Sequence, residues 1–405
     1  MCSTMIRQMF LIALGLITLE ALPCTTAIIS GKATPDGRPL LWKHRDSDEF
    51  NNKVVFEVGP RFRYLALINS NDPEHHAWAG TNSAGFAIMN SASYNIKPKT
   101  DSTKVEDREG YIMKLALGRC ATISDFAQLL DTLPRPWGIS ANFGVIDAKG
   151  GAGYFEVNNF NYRFFDANST TDAPEGFLIR TNFSVSGETN KGSGYIRYNT
   201  ALNLLKEAKT ANALTPEFLF TKATVSLRQD ITGIDLSKEI SKAEKLYPLR
   251  DFIVRYYSTS TVVVKGVLPK EPTDFATMWV KLGFQPASVA IPLWVGAGGV
   301  LPELITAPEG QNAKLCDYTL KLKKRCFPLN SWTEGENYVL LSQLLNKEQT
   351  GLLQLTNIFD KEIIARTRML YDKWTRFEFN PTEAYNFYLT LNRDIETFYK
   401  THFDL

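Results

Sequence analysis

The sequence predicts an α+β protein in which a large, mostly antiparallel sheet system is layered against helices. Three observations predict it. Short β-rich runs broken by Gly, Asn, Asp and Pro fill residues 25–89 and recur at 143–180 and 259–280. Helical runs stand between these groups, so the chain reads strands, helices, strands, helices, strands. From about residue 337 to the end the pattern turns mainly helical, with long amphipathic stretches at 360–376 and 381–403.

The elements follow in order. Residues 25–30 (TTAIIS) and 39–43 (PLLWK), joined through Pro35-Asp36-Gly37, make an N-terminal hairpin. Strands follow at 53–58, 63–68 and 86–89, then helices at 111–117 and 124–133, the second with Ser124 as its cap. Residues 143–146 and 153–157 pair across the turn Asp147–Gly151, and further strands lie at 162–165 and 177–180. Helices at 195–208 and 216–225 precede strands at 259–267 and 277–280. Pro381 suits the first turn of the last helix.

Composition narrows the function. The 405 residues carry 45 Lys+Arg against 43 Asp+Glu, a formal charge of +2, without the basic stripe of a nucleic-acid binder. With 44% hydrophobic and 12% aromatic residues the chain fills a large core, which excludes a disordered chain. Five cysteines are too few for a disulfide scaffold.

Residues 1–23 read as a signal peptide or propeptide. Arg7 precedes the apolar run MFLIALGLITL at 9–19, which is short of the ~20 residues that a membrane span needs. No long apolar run follows residue 24, so the expectation is a secreted or periplasmic protein with no stable membrane span after processing. Leu22-Pro23 is an awkward lead-in to Cys24 for signal peptidase. A lipoprotein acylated on Cys24 is the alternative, disfavoured by the same two residues.

Cys24 is the informative residue. Exposed as residue one, it has a thiol and a free α-amino group whose reference pKa is about 7.7–8.0. Such a thiol has its base within its own residue, the arrangement of an N-terminal nucleophile. After Cys24 come the turn Asp36-Gly37-Arg38, the strand Leu40-Leu41-Trp42, and Arg45-Asp46-Ser47-Asp48. A cysteine, a hairpin and Arg-x-x-Asp in this order resemble the choloylglycine hydrolase and penicillin V acylase family, with its acyltransferase-type cysteine peptidase relatives, in the Ntn-hydrolase superfamily. Gly80-Thr81-Asn82-Ser83-Ala84-Gly85-Phe86-Ala87, the segment Asp147…Glu156 and Leu178-Ile179-Arg180-Thr181-Asn182 are similar to further family motifs. The resemblance covers residues 24–197, and more weakly 258–295.

The resemblance implies a four-layer αββα Ntn-hydrolase sandwich over residues 24–335, with residues 336–405 as extra helices packed on the same domain. It implies Cys24 as nucleophile, Arg45 and Asp48 flanking it, Asn182 as a side-chain oxyanion donor, a second donor near Asn90, and Arg197 as the arginine after the Thr-Asn strand. A guanidinium beside the sulphur favours thiolate, and the carboxylate fixes the ammonium. The implied reaction is hydrolysis of a small-molecule linear amide through a thioester, with no cofactor, no metal and no nucleic acid; a homo-oligomer is allowed. Bile-salt conjugates, penicillin V, N-acyl amino acids and acyl-homoserine lactones are the substrate classes. An acyltransferase of the same fold stays open as an alternative.

Other signals are weaker. His75-His76 beside Glu74 reads as a solvated loop, because adjacent strand residues point to opposite faces. Residues 296–299 (GAGG) lack the flanks of a phosphate loop. Cys120 reads as a buried helix thiol. Cys316 and Cys326 are either free or closed in a hairpin-like disulfide.

Overall fold

The computed structural model describes residues 24–329 and 334–405. The expected signal segment, residues 1–23, lies outside them. Two antiparallel sheets stack face to face and helices cover both outer surfaces, giving the four layers αββα.

The first sheet begins with the expected hairpin, β1 (Thr25–Ile29) and β2 (Leu40–Asp46). The second is a meander of seven consecutive strands: β3 (Asn52–Val58), β4 (Arg63–Asn69), β5 (Ala79–Asn82), β6 (Ala87–Ala92), β7 (Ala141–Ile146), β8 (Ala152–Val157) and β9 (Tyr162–Asp166). The chain then returns to the first sheet with β10 (Phe177–Arg180), β11 (Ser258–Lys265), β12 (Thr277–Leu282) and β13 (Ile291–Leu293), in the order β10-β1-β2-β11-β12-β13. β1 and β2 are therefore central strands, buried on both faces even where β2 carries Lys43, His44, Arg45 and Asp46.

The two sheets touch closely where Gly144 of β7 passes under β1. A Cβ at that position would stand 2.4 Å from Met89 Cε and 3.0 Å from Ile28 Cγ1, so a larger residue would push the Met89 tip aside and press on Ile28 across the gap. Helices α1 (Glu109–Arg119) and α2 (Ile123–Thr132) lie over the seven-stranded sheet, where Phe126 meets Phe155 edge-on at 5.1 Å. Thr122, rather than Ser124, caps α2. Its hydroxyl accepts from Asp125 N and Asp125 reaches back in a capping box, so the helix starts one residue earlier than expected.

Helices α3 (Tyr195–Thr210), α4 (Lys314–Cys326), α5 (Leu352–Arg376) and α6 (Pro381–Phe403) cover the six-stranded sheet. The expected helix at 216–225 is one short α-turn followed by a π-turn over Leu219–Ala223. The C-terminal helices share the main core: Trp294 N donates to Tyr388 OH at 3.0 Å and its ring meets Trp374 edge-on at 5.0 Å. Cys316 and Cys326 sit ten residues apart on the single helix α4, about 15 Å along its axis. A disulfide tolerates a Cα separation of about 7 Å, so the hairpin disulfide is corrected to two free, buried thiols. Cys120 closes the C-terminal end of α1 and is also buried.

One buried ion pair pins α5 to the sheet. Lys281 Nζ of β12 lies 2.5 Å from Asp360 Oδ2, both side chains fully buried, while Asp360 Oδ1 accepts from Ala290 N at 2.7 Å. Truncating one partner strands the other without compensation. Asp360→Ala is expected to cost about 3–5 kcal/mol in urea unfolding. Adding Lys281→Met should recover part of that loss. Equal stability of the single and double variants would count against the pairing.

Candidate active site

Register decides which side chains meet. Thr25 lies opposite His44 and Thr26 opposite Lys43. Directly paired residues share a face, and alternate residues return to it. Cys24, Thr26, Lys43 and Arg45 therefore face the opposite sheet. Two bonds across the gap agree: Tyr154 OH donates to Thr26 Oγ1 at 2.8 Å, and Lys43 Nζ donates to Asn90 Oδ1 of β6 at 2.6 Å. The sheets part beyond this point into a cleft of about 580 Å³, with Cys24, Lys43, Arg45, Trp78 and Asn90 among its walls. Cys24 is 8% exposed.

Three buried cations surround Cys24. Lys43 Nζ also donates to Trp78 O at 2.8 Å. Arg45 donates to Asn52 Oδ1 at 2.7 Å, Asn69 Oδ1 at 2.9 Å and Ser47 Oγ at 3.2 Å, and its guanidinium lies 4.9 Å from the Trp78 ring centroid. Arg197 comes from α3 on the other face of the sheet. It donates to Cys24 O at 2.6 Å, Thr25 Oγ1 at 2.8 Å and Asn182 Oδ1 at 3.1 Å. All of these acceptors are uncharged. Burial pulls Lys43 down to about 8 and Arg45 to about 10, and in both the strongest opposing influence is negative charge at Cys24. Burial and the neighbouring Arg255 pull Arg197 to about 9, against Asp46 and Cys24.

The six residues expected in the site fall into three groups. Cys24, Arg45 and Asn90 line one cleft. Asp48 lines its mouth but is exposed, because β2 ends at Asp46 and the chain has left the sheet; its Oδ1 is 3.5 Å from Ser47 Oγ. The buried carboxylate of this segment is Asp46. Arg197 and Asn182 lie behind the cysteine. Asn182 is fully buried, and its Nδ2 donates to Ala92 O at 3.0 Å, so it ties the end of β10 to β6 rather than presenting a bare amide to the cleft. Asn90 does present one: Lys43 engages its Oδ1, which leaves Nδ2 without a bond among the described residues.

Asp46 points away from Cys24. Its carboxylate takes Arg255 Nη2 at 2.6 Å and Ser258 Oγ at 2.7 Å, and Ser258 Oγ is 2.8 Å from His44 Nε2. Opposite Arg45 and Asp46 the register of β11 shifts between Ser258 and Ser260, a bulge that turns this strand's end toward the site. The other motif residues are structural. Asn82 accepts from Ala84 N and Phe86 N and donates to the end of α1 at Leu117 O and Cys120 O. Asp147 closes its turn and takes Ile123 N of α2. Glu156 pairs with Arg180 at 2.6 Å and anchors Val185 N and Ser186 N. His75 and His76 bond to Glu57 and Asp72. No group of three or more His, Cys, Asp or Glu among the described residues is placed to hold a metal, and none of their helices is long and apolar enough to cross a membrane.

Sequence reasoning missed Lys43, Asp46, Trp78 and Arg255. Lys43 was within reach, since strand alternation puts it on the face of Arg45 two residues on. Trp78 and Arg255 arrive from distant segments and carry no local signal.

No protein-family model matches the chain, and no curated protein sequence matches it. Solved structures are similar to it at low superposition. One is a variant of conjugated bile acid hydrolase from Clostridium perfringens, with TM-score 0.40 and 11% identity over 67% of this chain and 93% of that one. A second mutant of that enzyme gives TM-score 0.35 and 12% identity over 67% and 92%. Penicillin V acylase from Agrobacterium tumefaciens gives TM-score 0.35 and 11% identity over 67% and 86%.

Asp46 gives the site an acid dependence. Burial alone would raise its carboxyl, but Arg255 first and the bond to His44 next hold it down to about 2. A depressed carboxylate stabilises the fold above its unfolded value, and that contribution is lost as pH falls through the folded value. The window is therefore about pH 4 down to 2, and the loss about 2 kcal/mol at 1.36 per pH unit. Asp46→Asn should flatten thermal unfolding across that window while lowering stability at pH 7. An unchanged acid slope in the variant would contradict the assignment.

Proposed function

We propose that the chain is an N-terminal-cysteine amidohydrolase, exported and freed of the residues before Cys24, that cleaves a linear amide through a thioester on Cys24. The observation that carries this reading is the trio of buried cations bonded only to neutral groups around one cleft thiol. Such charges are costly unless negative charge appears among them, and attack of a thiolate on an amide carbonyl delivers it.

The steps follow from the positions of the groups. The free α-amino group takes the Cys24 proton, and the sulphur attacks the carbonyl carbon. The carbonyl oxygen becomes an oxyanion beside Asn90 Nδ2, whose amide is oriented by Lys43. One oriented donor of this kind is worth about 3 kcal/mol. Arg45, held over Trp78, keeps positive potential at the sulphur, and Arg197 positions the cysteine through its carbonyl. The C–N bond breaks, and the leaving amine takes the proton from the α-ammonium. Water then attacks the thioester, passes a proton through the same amine, and releases the carboxylic acid. The acyl groups to screen are bile-salt conjugates, penicillin V, N-acyl amino acids and acyl-homoserine lactones. Supplying amine nucleophiles instead of water separates hydrolysis from acyl transfer.

Cys24→Ala is expected to abolish hydrolysis and any self-processing, while Cys24→Ser retains processing. Intact mass of the mature protein should begin at unmodified Cys24; a diacylglyceryl adduct there, or full activity in Cys24→Ala, sinks the reading.

Lys43 gives the rate its alkaline side. It is charged below about 8 and loses its proton above, so kcat/KM should fall as pH rises through that value. Lys43→Met should lower kcat about tenfold to a hundredfold, the scale of one electrostatic contact, and remove that descending limb. A limb that persists in the variant belongs to another group.

A further inference from the structure

The cleft also holds two carboxyls that this chemistry does not use. Glu109, the first residue of α1, lines it and is 2% exposed. Its Oε1 takes one long bond from Ser140 N at 3.3 Å, and its Oε2 has no hydrogen-bond partner. Asp107 lines the same cleft at its exposed rim, in the left-handed region at φ 54°, which aspartate tolerates. Its carboxyl is near enough to act on that of Glu109 electrostatically. Burial first, and Asp107 second, push Glu109 well above the usual carboxylate range.

No ion pair among the described residues reaches either carboxyl. Lys43 feels both electrostatically, yet two of its three N–H donors go to Trp78 O and Asn90 Oδ1 and it pairs with neither carboxyl. Lys97, also in the cleft wall, donates to Thr103 O. An unpartnered carboxyl oxygen buried beside a cleft costs free energy while the cleft is empty and regains it when a donor arrives. No third His, Cys, Asp or Glu among the described residues joins the two carboxyls to make a metal-ligating group. They suit one cationic nitrogen, which brings both charge and several N–H donors. Tyr94 and Val105 supply apolar surface in the same wall for the carbon chain bearing it.

We propose that Asp107 and Glu109 bind an ammonium or guanidinium group of the substrate, so that the enzyme's substrates are small cationic amides. The substrate part of this rests on the amidase reading; the cation site does not.

Two measurements separate them. Calorimetry on the wild-type protein with hexylammonium, 1-hexanol and hexanoate reads the site without turnover. Hydrolysis of paired amides reads its use: 6-aminohexanoyl against hexanoyl aminomethylcoumarin, and N-(4-aminobutyl)hexanamide against N-butylhexanamide, which put the charge on either side of the scissile bond. Hexylammonium should bind about tenfold or more tighter than hexanol, the range of one charge-assisted contact, with hexanoate weakest. One cationic amide should lead its neutral partner in kcat/KM by a similar ratio. Both ratios should fall toward one in Asp107→Asn, an exposed change that leaves the core intact, and in Glu109→Gln. Equal binding of the three ligands, or ratios unmoved in both variants, overturns the proposal. Selective hexylammonium binding with no amide cleaved overturns the amidase reading and the substrate class but keeps the site; cleavage without charge preference overturns the inference alone.

Discussion

Burying a cation without a carboxylate beside it is among the least favourable things a fold does, and here three such cations converge on one residue. Lys43, Arg45 and Arg197 are each at most 4% exposed, and each spends its donors on carbonyls, amides and hydroxyls. Neutral acceptors satisfy the hydrogen bonds but leave the charge uncompensated. A carboxylate in their place would have neutralised the field. The arrangement therefore keeps a positive potential at the position where Cys24 sits, ready for charge that forms only during a reaction.

Holding that potential requires a rigid frame, and the sandwich supplies it. The side chains that anchor the cations come from both sheets: Asn52 and Asn69 from β3 and β4, Asn90 from β6, and Asn182 from the chain leaving β10. Asn69 and Asn90 sit on interior strands and cannot shift without moving them, while Asn52 and Asn182 belong to the edges of the two sheets. The close contact at Gly144 and the paired Glu156–Arg180 fix the distance between the sheets on which every one of those bonds depends. Asp46, held by Arg255 and Ser258 on the far side of β2, fixes the strand end from below. The same residue thus serves geometry rather than proton transfer.

How far the sequence discloses this depends on whether the signal is local. The α+β plan and the hairpin carrying Cys24 are legible, because strand periodicity, turn residues and the position of a cysteine before a β-run are local features, whereas the four-layer αββα order comes only as what the family resemblance implies. The helix caps are less so: Thr122 and Ser124 are both acceptable N-caps, and only the capping box with Asp125 chooses between them. Arg45 is legible by its place at the end of β2. Asp48 is misplaced by the same reasoning, since a spacing of three residues says nothing about where the strand stops. Asn182 is expected as an oxyanion donor, but its bonds to Arg197 and Ala92, which depend on how two sheets cross, bury it behind the cysteine. Cys316 and Cys326 fail for a related reason, because a nine-residue spacing suits a hairpin or a helix and only the packing against the sheet decides.

Charge in the cleft is zoned by the same logic. Cations gather where the strands put Lys43 and Arg45 opposite β1. Carboxyls gather where the loop before α1 turns back, with Asp107 at the rim and Glu109 in the wall. Were the two zones in contact they would pair and cancel, leaving an inert salt bridge in place of two fields. Lys43 turns two of its three N–H donors to Asn90 and the Trp78 carbonyl and makes no ion pair with Glu109. The cleft is positive at its thiol and negative at its acid pair, and a polarity of that kind orients an elongated, unsymmetrical ligand before any bond to it changes.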